Sequence, residues 1–328
     1  MPHKATIATI SLGLAGGGPT VERNLERMQE ALDAASAGGA DLICLPETFA
    51  QVGCPKDLRQ QTAQSVPGPV FDFLAQHARR NRTWLIAGTT ERMADGTMQN
   101  VAWVLNRQGE LAGRYAKVHP TIGEIEGGIT PGSAAPVFDT DFGRVGIAIC
   151  YDIGWPAHWA TLAEQGARLI VWPSAYDGGF PLQVYAWSHF VTVVSSVWGY
   201  HSKVIDVTGR VLTATSRWSR VAIRRVDLEK EVFHIDAQVR KLADLQRQLG
   251  AAVTVEGFSE ENGFTVESND EAWPMARIKQ EFGLENFRDY HARATRVQDE
   301  FRDRPVSTGD TGRGAPARDG AAIVAGGS

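Results

Sequence analysis

The chain has 328 residues, 43% hydrophobic and 22% charged, an ordinary globular balance that excludes wholesale disorder. Its formal net charge of −5 leaves no electrostatic footprint for nucleic acid or an anionic membrane, and no apolar run approaches the ~20 residues that cross a bilayer. The expectation is a globular, cytoplasmic protein that binds neither.

Ala5–Ala15 after the basic start has the outline of a signal peptide, but Thr6, Thr9 and Ser11 interrupt it, and Ile7 and Ile10 suit a first strand over Ala5–Leu12. Thr20 can cap a helix whose Leu25, Met28, Leu32 and Ala35 recur at helical spacing until Gly38-Gly39. Asp41–Pro46 is a short continuous apolar run, the mark of a strand buried on both faces. Beyond the break at Pro67-Gly68-Pro69, Phe71, Leu74 and Ala78 place a helix. Thr83–Thr90 is a strand, and Gln99–Asn106 and Glu110–Lys117 pair around Gln108-Gly109.

The second half predicts a strand over Gly143–Cys150 and a helix over Pro156–Gln165, with proline near its start and Gly166 past its end. Ala167–Trp172 is a strand, followed by a helix bearing Leu182, Tyr185, His189 and Val193. Lys203–Asp206 and Arg210–Thr213 flank a turn at Thr208-Gly209. A helix through Ile235, Val239, Leu242 and Leu249 stops at Gly250, and Val253–Phe264 holds a hairpin tipped by Asn262-Gly263. Charged helices over about 271–282 and 284–304 end the folded part. Hairpins mixed with βαβ units predict one mixed-sheet α/β domain over residues 1–304, with helices on the sheet faces and no internal repeat. Residues 305–328, dominated by Gly, Ala, Ser and Thr, are expected to be disordered.

Three cysteines are too few for a disulfide framework, and no CxxC or histidine-rich cluster suggests zinc. Cys150 stands where a strand enters a turn, the place from which a nucleophile protrudes and the following N–H groups point at an oxyanion. A free cysteine is equally at home in a core, as Cys44 is expected to be, and Cys54 lies in a loop without a helper. Glu47 follows Leu45-Pro46 at the carboxyl edge of the sheet, where a carboxylate can serve as a base or merely cap a helix. Lys117 ends a third strand; it can stabilise an oxyanion or simply snorkel. His119 is a tempting partner for Cys150, but no motif backs it. Gly13-Leu14-Ala15-Gly16-Gly17-Gly18 follows a strand without the GxGxxG spacing of a dinucleotide site. Glu47, Lys117 and Cys150 share one property: each ends a predicted strand, where separate strands of one sheet converge.

Three stretches in order resemble the nitrilase superfamily, the carbon–nitrogen hydrolases: Gly39-Ala40-Asp41-Leu42-Ile43-Cys44-Leu45-Pro46-Glu47, Tyr115-Ala116-Lys117-Val118-His119-Pro120-Thr121, and Asp141–Asp152 around Val145-Gly146-Ile147-Ala148-Ile149-Cys150-Tyr151-Asp152. Gly166–Ser174 fits the family's strand after the nucleophile helix, and the likeness runs from about Ala5 to about Arg304. The resemblance implies a four-layer αββα sandwich, assembly into a homodimer or larger homo-oligomer, and no cofactor or metal. It also implies a Glu–Lys–Cys triad carried onto Glu47, Lys117 and Cys150, acting on a small amide or N-carbamoyl compound through a thioester. A second glutamate of the family maps to Glu124 by spacing from Lys117, with Glu126 a rival counted back from Cys150. Tyr151 would supply an oxyanion N–H. Trp155, Trp172, Tyr176 and the loop Asp177-Gly178-Gly179 follow strand ends near Cys150, so Trp172 and Tyr176 are candidate pocket residues, although tryptophans equally fill cores. The loop Trp198-Gly199-Tyr200-His201 looks shorter than in many relatives, which leaves the pocket's rim open. Relatives acting on nitriles tend to carry Trp-Glu after the nucleophile, whereas this chain has Tyr151-Asp152, which favours amide over nitrile chemistry.

Overall fold

The structure is a computed structural model that describes residues 4–13, 17–55 and 59–302. The tail expected to be disordered lies outside the described residues, as do Leu14–Gly16 of the glycine-rich turn. The first half comprises β1 (Lys4–Ile10), α1 (Val21–Ala37), β2 (Leu42–Leu45), α2 (Arg59–Thr62), α3 (Pro69–Asn81), β3 (Trp84–Arg92), β4 (Met98–Leu105), β5 (Leu111–Ala116) and α4 (Ile122–Glu126). There follow β6 (Val137–Thr140), β7 (Gly143–Ile147), α5 (Pro156–Glu164), β8 (Leu169–Ser174), α6 (Phe180–His189), β9 (Thr192–Val197), β10 (Lys203–Ile205), β11 (Val211–Ala214) and β12 (Val221–Asp227). The remainder is β13 (Glu231–His234), α7 (Val239–Leu249), β14 (Val253–Phe258), β15 (Gly263–Ser268), α8 (Met275–Phe282) and α9 (Phe287–Arg302).

Two six-stranded sheets form the centre, in the orders β12-β1-β2-β3-β4-β5 and β6-β7-β8-β9-β10-β11. In both, the first pair is antiparallel, the next two parallel and the last two antiparallel, so the sheets repeat one topology although no repeat is visible in the sequence. The period of two along each strand builds the layers. Leu42 and Cys44 of β2 face Leu169 and Val171 of β8 in the layer between the sheets. Ile43 and Leu45 face the other way, onto Met28 and Leu32 of α1 and Leu74 and Ala78 of α3. Ile170 and Trp172 of β8 meet Trp159 and Leu162 of α5 and Leu182 and Ala186 of α6. The result is the αββα sandwich that the resemblance implies.

Capping explains the start of α1. The Thr20 side chain accepts a hydrogen bond from the Arg23 N–H, as the sequence predicts, and Gly38 closes the helix. Several boundaries differ from the sequence reading. The helix expected to carry Val193 ends at His189, because Phe190 turns left-handed with φ 46° and the β-branched run from Val191 to Val194 prefers a pleated surface. Val193 therefore belongs to β9. Ile235 precedes α7, from which it is cut off by Ala237 at φ 56°. Pro274, extended at ψ 153°, delays α8 to Met275. The hairpin tip falls before Gly263, which already pairs within β15. Not foreseen are the strands β6, β9, β12 and β13 and the short helices α2 and α4; β12 pairs with β1 from the far end of the chain, a contact that no local pattern announces.

Strands β13, β15 and β14 make a small third sheet, which with α7 and α8 encloses its own core of Phe233, Leu245, Phe264, Val266 and Ile278. The described residues 285–302 belong to a separate compact unit, in which Arg293 of α9 pairs with Glu285 at 2.6 Å. Among the described residues no helix is long and apolar enough to cross a membrane.

Candidate active site

Glu47, Lys117 and Cys150 follow β2, β5 and β7, so they come from the ends of two stacked sheets and not, as expected, from one. Glu47 is 4% exposed and Lys117 1%, burial that charged groups tolerate only when paired and hydrogen-bonded. They are paired. The Lys117 ammonium lies 2.9 Å from Glu47 Oε1 and 3.0 and 2.8 Å from the two oxygens of Glu124. Of the two rival glutamates, Glu124 is thus at the lysine, whereas Glu126 is exposed.

Glu124 is held by its own helix. Thr121 and Glu124 form a capping box at the start of α4: the Thr121 N–H donates to Glu124 Oε2 at 2.8 Å, and Thr121 Oγ1 accepts from the Glu124 N–H. The spacing Thr121-x-x-Glu124 is legible in the sequence and separates Glu124 from Glu126. A residue that sequence reasoning passed over completes the cluster. The side-chain amide of Asn100, in β4, donates to Glu47 Oε1 and to Glu124 Oε1, both at 2.7 Å.

The hydrogen bonds divide the two carboxylates by role. Both oxygens of Glu124 are taken, by Asn100, Lys117 and Thr121. Burial pushes the Glu124 carboxyl up, but the Lys117 charge and these hydrogen bonds outweigh it and hold it below the usual glutamate range. Glu47 Oε1 is likewise taken, whereas Oε2 accepts no hydrogen bond among the described residues. Glu47 is the carboxylate with an oxygen to spare. For Lys117, burial disfavours the charge, but Glu47, Cys150 and Glu124 override it and keep the ammonium protonated above its ordinary range.

Cys150 does not end a strand: β7 stops at Ile147, and Cys150 opens a 3₁₀ turn with φ 47°. Left-handed backbone at a non-glycine residue costs about 1–3 kcal/mol and persists only where its surroundings fix it. Here Trp172 Nε1 donates to the Cys150 carbonyl at 3.0 Å, and Asp152 Oδ2 accepts from the Ile149 N–H at 2.8 Å. Asp152 is fully buried and also takes the Tyr115 hydroxyl at 2.6 Å and both the N–H and ring nitrogen Nδ1 of His119 at 2.9 and 2.8 Å. It thereby ties the nucleophile turn of one sheet to the end of β5 in the other. His119 is spent on this tie and on stacking against Trp155, with ring centroids 4.1 Å apart. Burial first, then the Glu47 charge, push the Cys150 thiol up to about 12 against the opposing pull of Lys117, the Ala175 N–H and the Ser174 hydroxyl. At rest the sulfur is protonated.

Thr48, directly after Glu47, is also left-handed, at φ 45°. The Glu47 segment is braced by the Trp198 indole, which donates to the Glu47 carbonyl, and by Gly88 of β3, where an added Cβ would meet Glu47 Cα at 2.6 Å. Gly88→Ala must push this backbone aside. A displacement of the Glu47 carboxylate by about 1 Å is expected to lower by about 10²-fold any turnover that depends on it. Steady-state kinetics of the variant check this; unchanged kinetics would show that the segment is not braced by β3.

A cavity of about 440 Å³ opens over the cluster, lined among others by Glu47, Asn100, Lys117, Glu124, Cys150 and Trp198. Thr48, Gln51, Thr62 and Thr90 add polar walls, Val52, Pro55 and Ile129 apolar ones, and Cys54 lies on the same wall as Val52. Two candidate pocket residues are not among its lining. Trp172 is fully buried in the α5–α6 layer, since its place in β8 turns it away from the other sheet. Tyr176 is 46% exposed beyond the strand end and stands edge-on to Trp172. The side chains of Tyr151 and Trp155 are also exposed and pack on each other. Cys44 is buried between the sheets, as expected.

The carbon-nitrogen hydrolase family profile matches residues 11–232. Among curated proteins, the chain is 26% identical over 246 residues to omega-amidase NIT2-B of Xenopus laevis, covering 70% of this chain and 88% of that one. It is likewise 26% identical over 241 residues to omega-amidase NIT2 of Homo sapiens, covering 69% and 87%. Among solved structures, Saccharomyces cerevisiae Nit3, of the nitrilase superfamily, superposes with a TM-score of 0.61 at 22% identity over 68% of this chain and 90% of that chain. A cysteine-to-alanine mutant of the amidase from Nesterenkonia sp. AN1 in complex with butyramide gives 0.62 at 20% identity, over 75% and 97%.

Proposed function

We propose that this chain, which belongs to the carbon–nitrogen hydrolase family, is a thiol amidase that hydrolyses small linear amides, with Cys150 as nucleophile and Glu47 as base. One observation carries the proposal: Glu47 faces the cavity it shares with Cys150 with one oxygen fixed by Lys117 and Asn100 and the other unbonded among the described residues.

The sequence of steps follows from these positions. Glu47 Oε2 takes the thiol proton as the sulfur attacks the amide carbon, which suits a sulfur protonated at rest. Lys117 and the N–H of Tyr151 stabilise the tetrahedral oxyanion. Glu47 returns the proton to the departing nitrogen, and ammonia or an amine leaves a thioester on Cys150. Glu47 then takes a proton from water, whose oxygen attacks the thioester carbon, and the thiol is regenerated as the acid leaves. The similarity to omega-amidases and to an amidase that binds butyramide supports amides over nitriles. N-carbamoyl compounds are the neighbouring substrate class.

Ammonia release from matched series of linear amides, N-carbamoyl compounds and nitriles tests the assignment. Amides are expected to turn over at least about tenfold faster than the nitriles of equal chain length, a difference of about 1.4 kcal/mol in transition-state binding. Turnover of nitriles alone would overturn it. A second expectation concerns the thiols. Burial and then the Glu22 charge raise the Cys54 thiol, so neither pocket cysteine is a resting thiolate. Iodoacetamide, itself a primary amide, is expected to alkylate Cys150 first because Glu47 removes the proton in place. In Glu47→Gln this preference should vanish while labelling of Cys54 is unchanged; peptide mass spectrometry over a time course reads both.

A further inference from the structure

We propose that Asn100 is a positioning residue that orients both glutamates with uncharged donors and so leaves Glu47 Oε2 as the oxygen that moves protons. The inference rests on Glu47 being the base. The side-chain amide has two N–H groups, and both are spent on carboxylates, one on each glutamate at 2.7 Å. Lys117 donates to the same two Oε1 atoms, so each is held by one cation and one neutral donor. Asn100 reaches them because its carbonyl accepts the Lys117 N–H at 2.8 Å, which carries the β4–β5 ladder one step beyond the strand and places the two residues side by side.

The residue type is informative. A second cation here would neutralise the cluster and weaken the base, whereas an aspartate would add a third negative charge around one ammonium. A primary amide donates twice and adds no charge. The other half of the amide is sacrificed: Asn100 Oδ1 is buried without a hydrogen-bond partner among the described residues. Such an atom carries a desolvation penalty, which a residue serving only the strand would have no reason to bear.

The titratable groups facing Glu47 are Lys117 after β5, Glu124 from α4, Cys150 after β7 and Tyr176 after β8. Asn100→Leu removes both neutral donors at similar size. A carboxylate that loses donors to its charged form holds its proton more tightly, so the acid limb of kcat/KM should move to higher pH, with a fall in kcat/KM of about 10²-fold. The pH dependence of Cys150 alkylation by iodoacetamide should move with it and needs no substrate. Asn100→Asp, equal in shape, keeps the packing and should lose more, about 10³-fold, because a further carboxylate competes for Lys117. If the acid limb and the alkylation profile stay in place in both variants, Asn100 merely fills its strand and the inference fails. Turnover surviving in Glu47→Gln would instead remove Glu47 as the base on which this inference rests, whereas a parent protein that releases no ammonia from amides would sink the amidase reading, so the failures are separable.

Discussion

Cys150→Ala is expected to abolish amide turnover, with a loss on the order of 10⁴- to 10⁶-fold, the scale on which removing a nucleophile takes its whole catalytic unit with it. In the proposed route the Cys150 sulfur forms the covalent bond, and of the two cysteines lining the cavity among the described residues it is Cys150 that feels the charges of Glu47 and Lys117. The strain at φ 47° is present in both proteins, and alanine tolerates that conformation no worse than cysteine. The braces from Trp172 and Asp152 act on backbone and do not involve the sulfur. The variant should therefore fold as the parent does, with a melting temperature within a few degrees, and still bind amides. Calorimetric binding of an unreactive amide beside ammonia release separates the two effects. Full turnover in Cys150→Ala would remove the thioester route altogether.

How far the sequence carried the argument depended on the range of the signal. Thr20, Gly38-Gly39 and the continuous apolar run of β2 act within a few residues, and the elements they predict are found in place. Glu47, Lys117 and Cys150 were singled out because short stretches around them have a family resemblance, and all three line one cavity. What failed was non-local. That Cys150 and Lys117 belong to different sheets is decided by pairings between strands far apart, and the link that fixes their distance, Asp152, joins Tyr115 and His119 to Ile149. Trp172 looked like a pocket residue because it follows Cys150 onto the next strand, yet the pleat sends it to the helix side. Asn100 was invisible for a different reason: an asparagine in a β-hairpin carries no sign of the two carboxylates that it will meet.

Lys117→Met is expected to cost stability and activity together. The ammonium is the one cation in contact with Glu47 and Glu124 among the described residues; the pair with Glu47 is buried and the pair with Glu124 partly so. Removing one partner of such a pair leaves uncompensated charge, a loss of about 3–5 kcal/mol. Methionine fills the space, so the loss reports charge and not a hole. Acid should reveal the difference. In the parent, Glu124 is held below its ordinary range by Lys117, so its contribution is full above the unfolded-state pKa and fades as pH falls through the folded value. In the variant the carboxylates have only neutral donors and take protons more readily, so the sign reverses: the penalty is greatest at neutral pH and shrinks as protonation relieves it. The gap in melting temperature between parent and variant should thus narrow between pH 8 and about pH 5. Turnover should not return at either end, because the oxyanion has lost its cation and a protonated Glu47 cannot take the thiol proton. A gap that stays constant with pH would mean that Lys117 supports the fold by packing alone, and that the two glutamates do not depend on its charge.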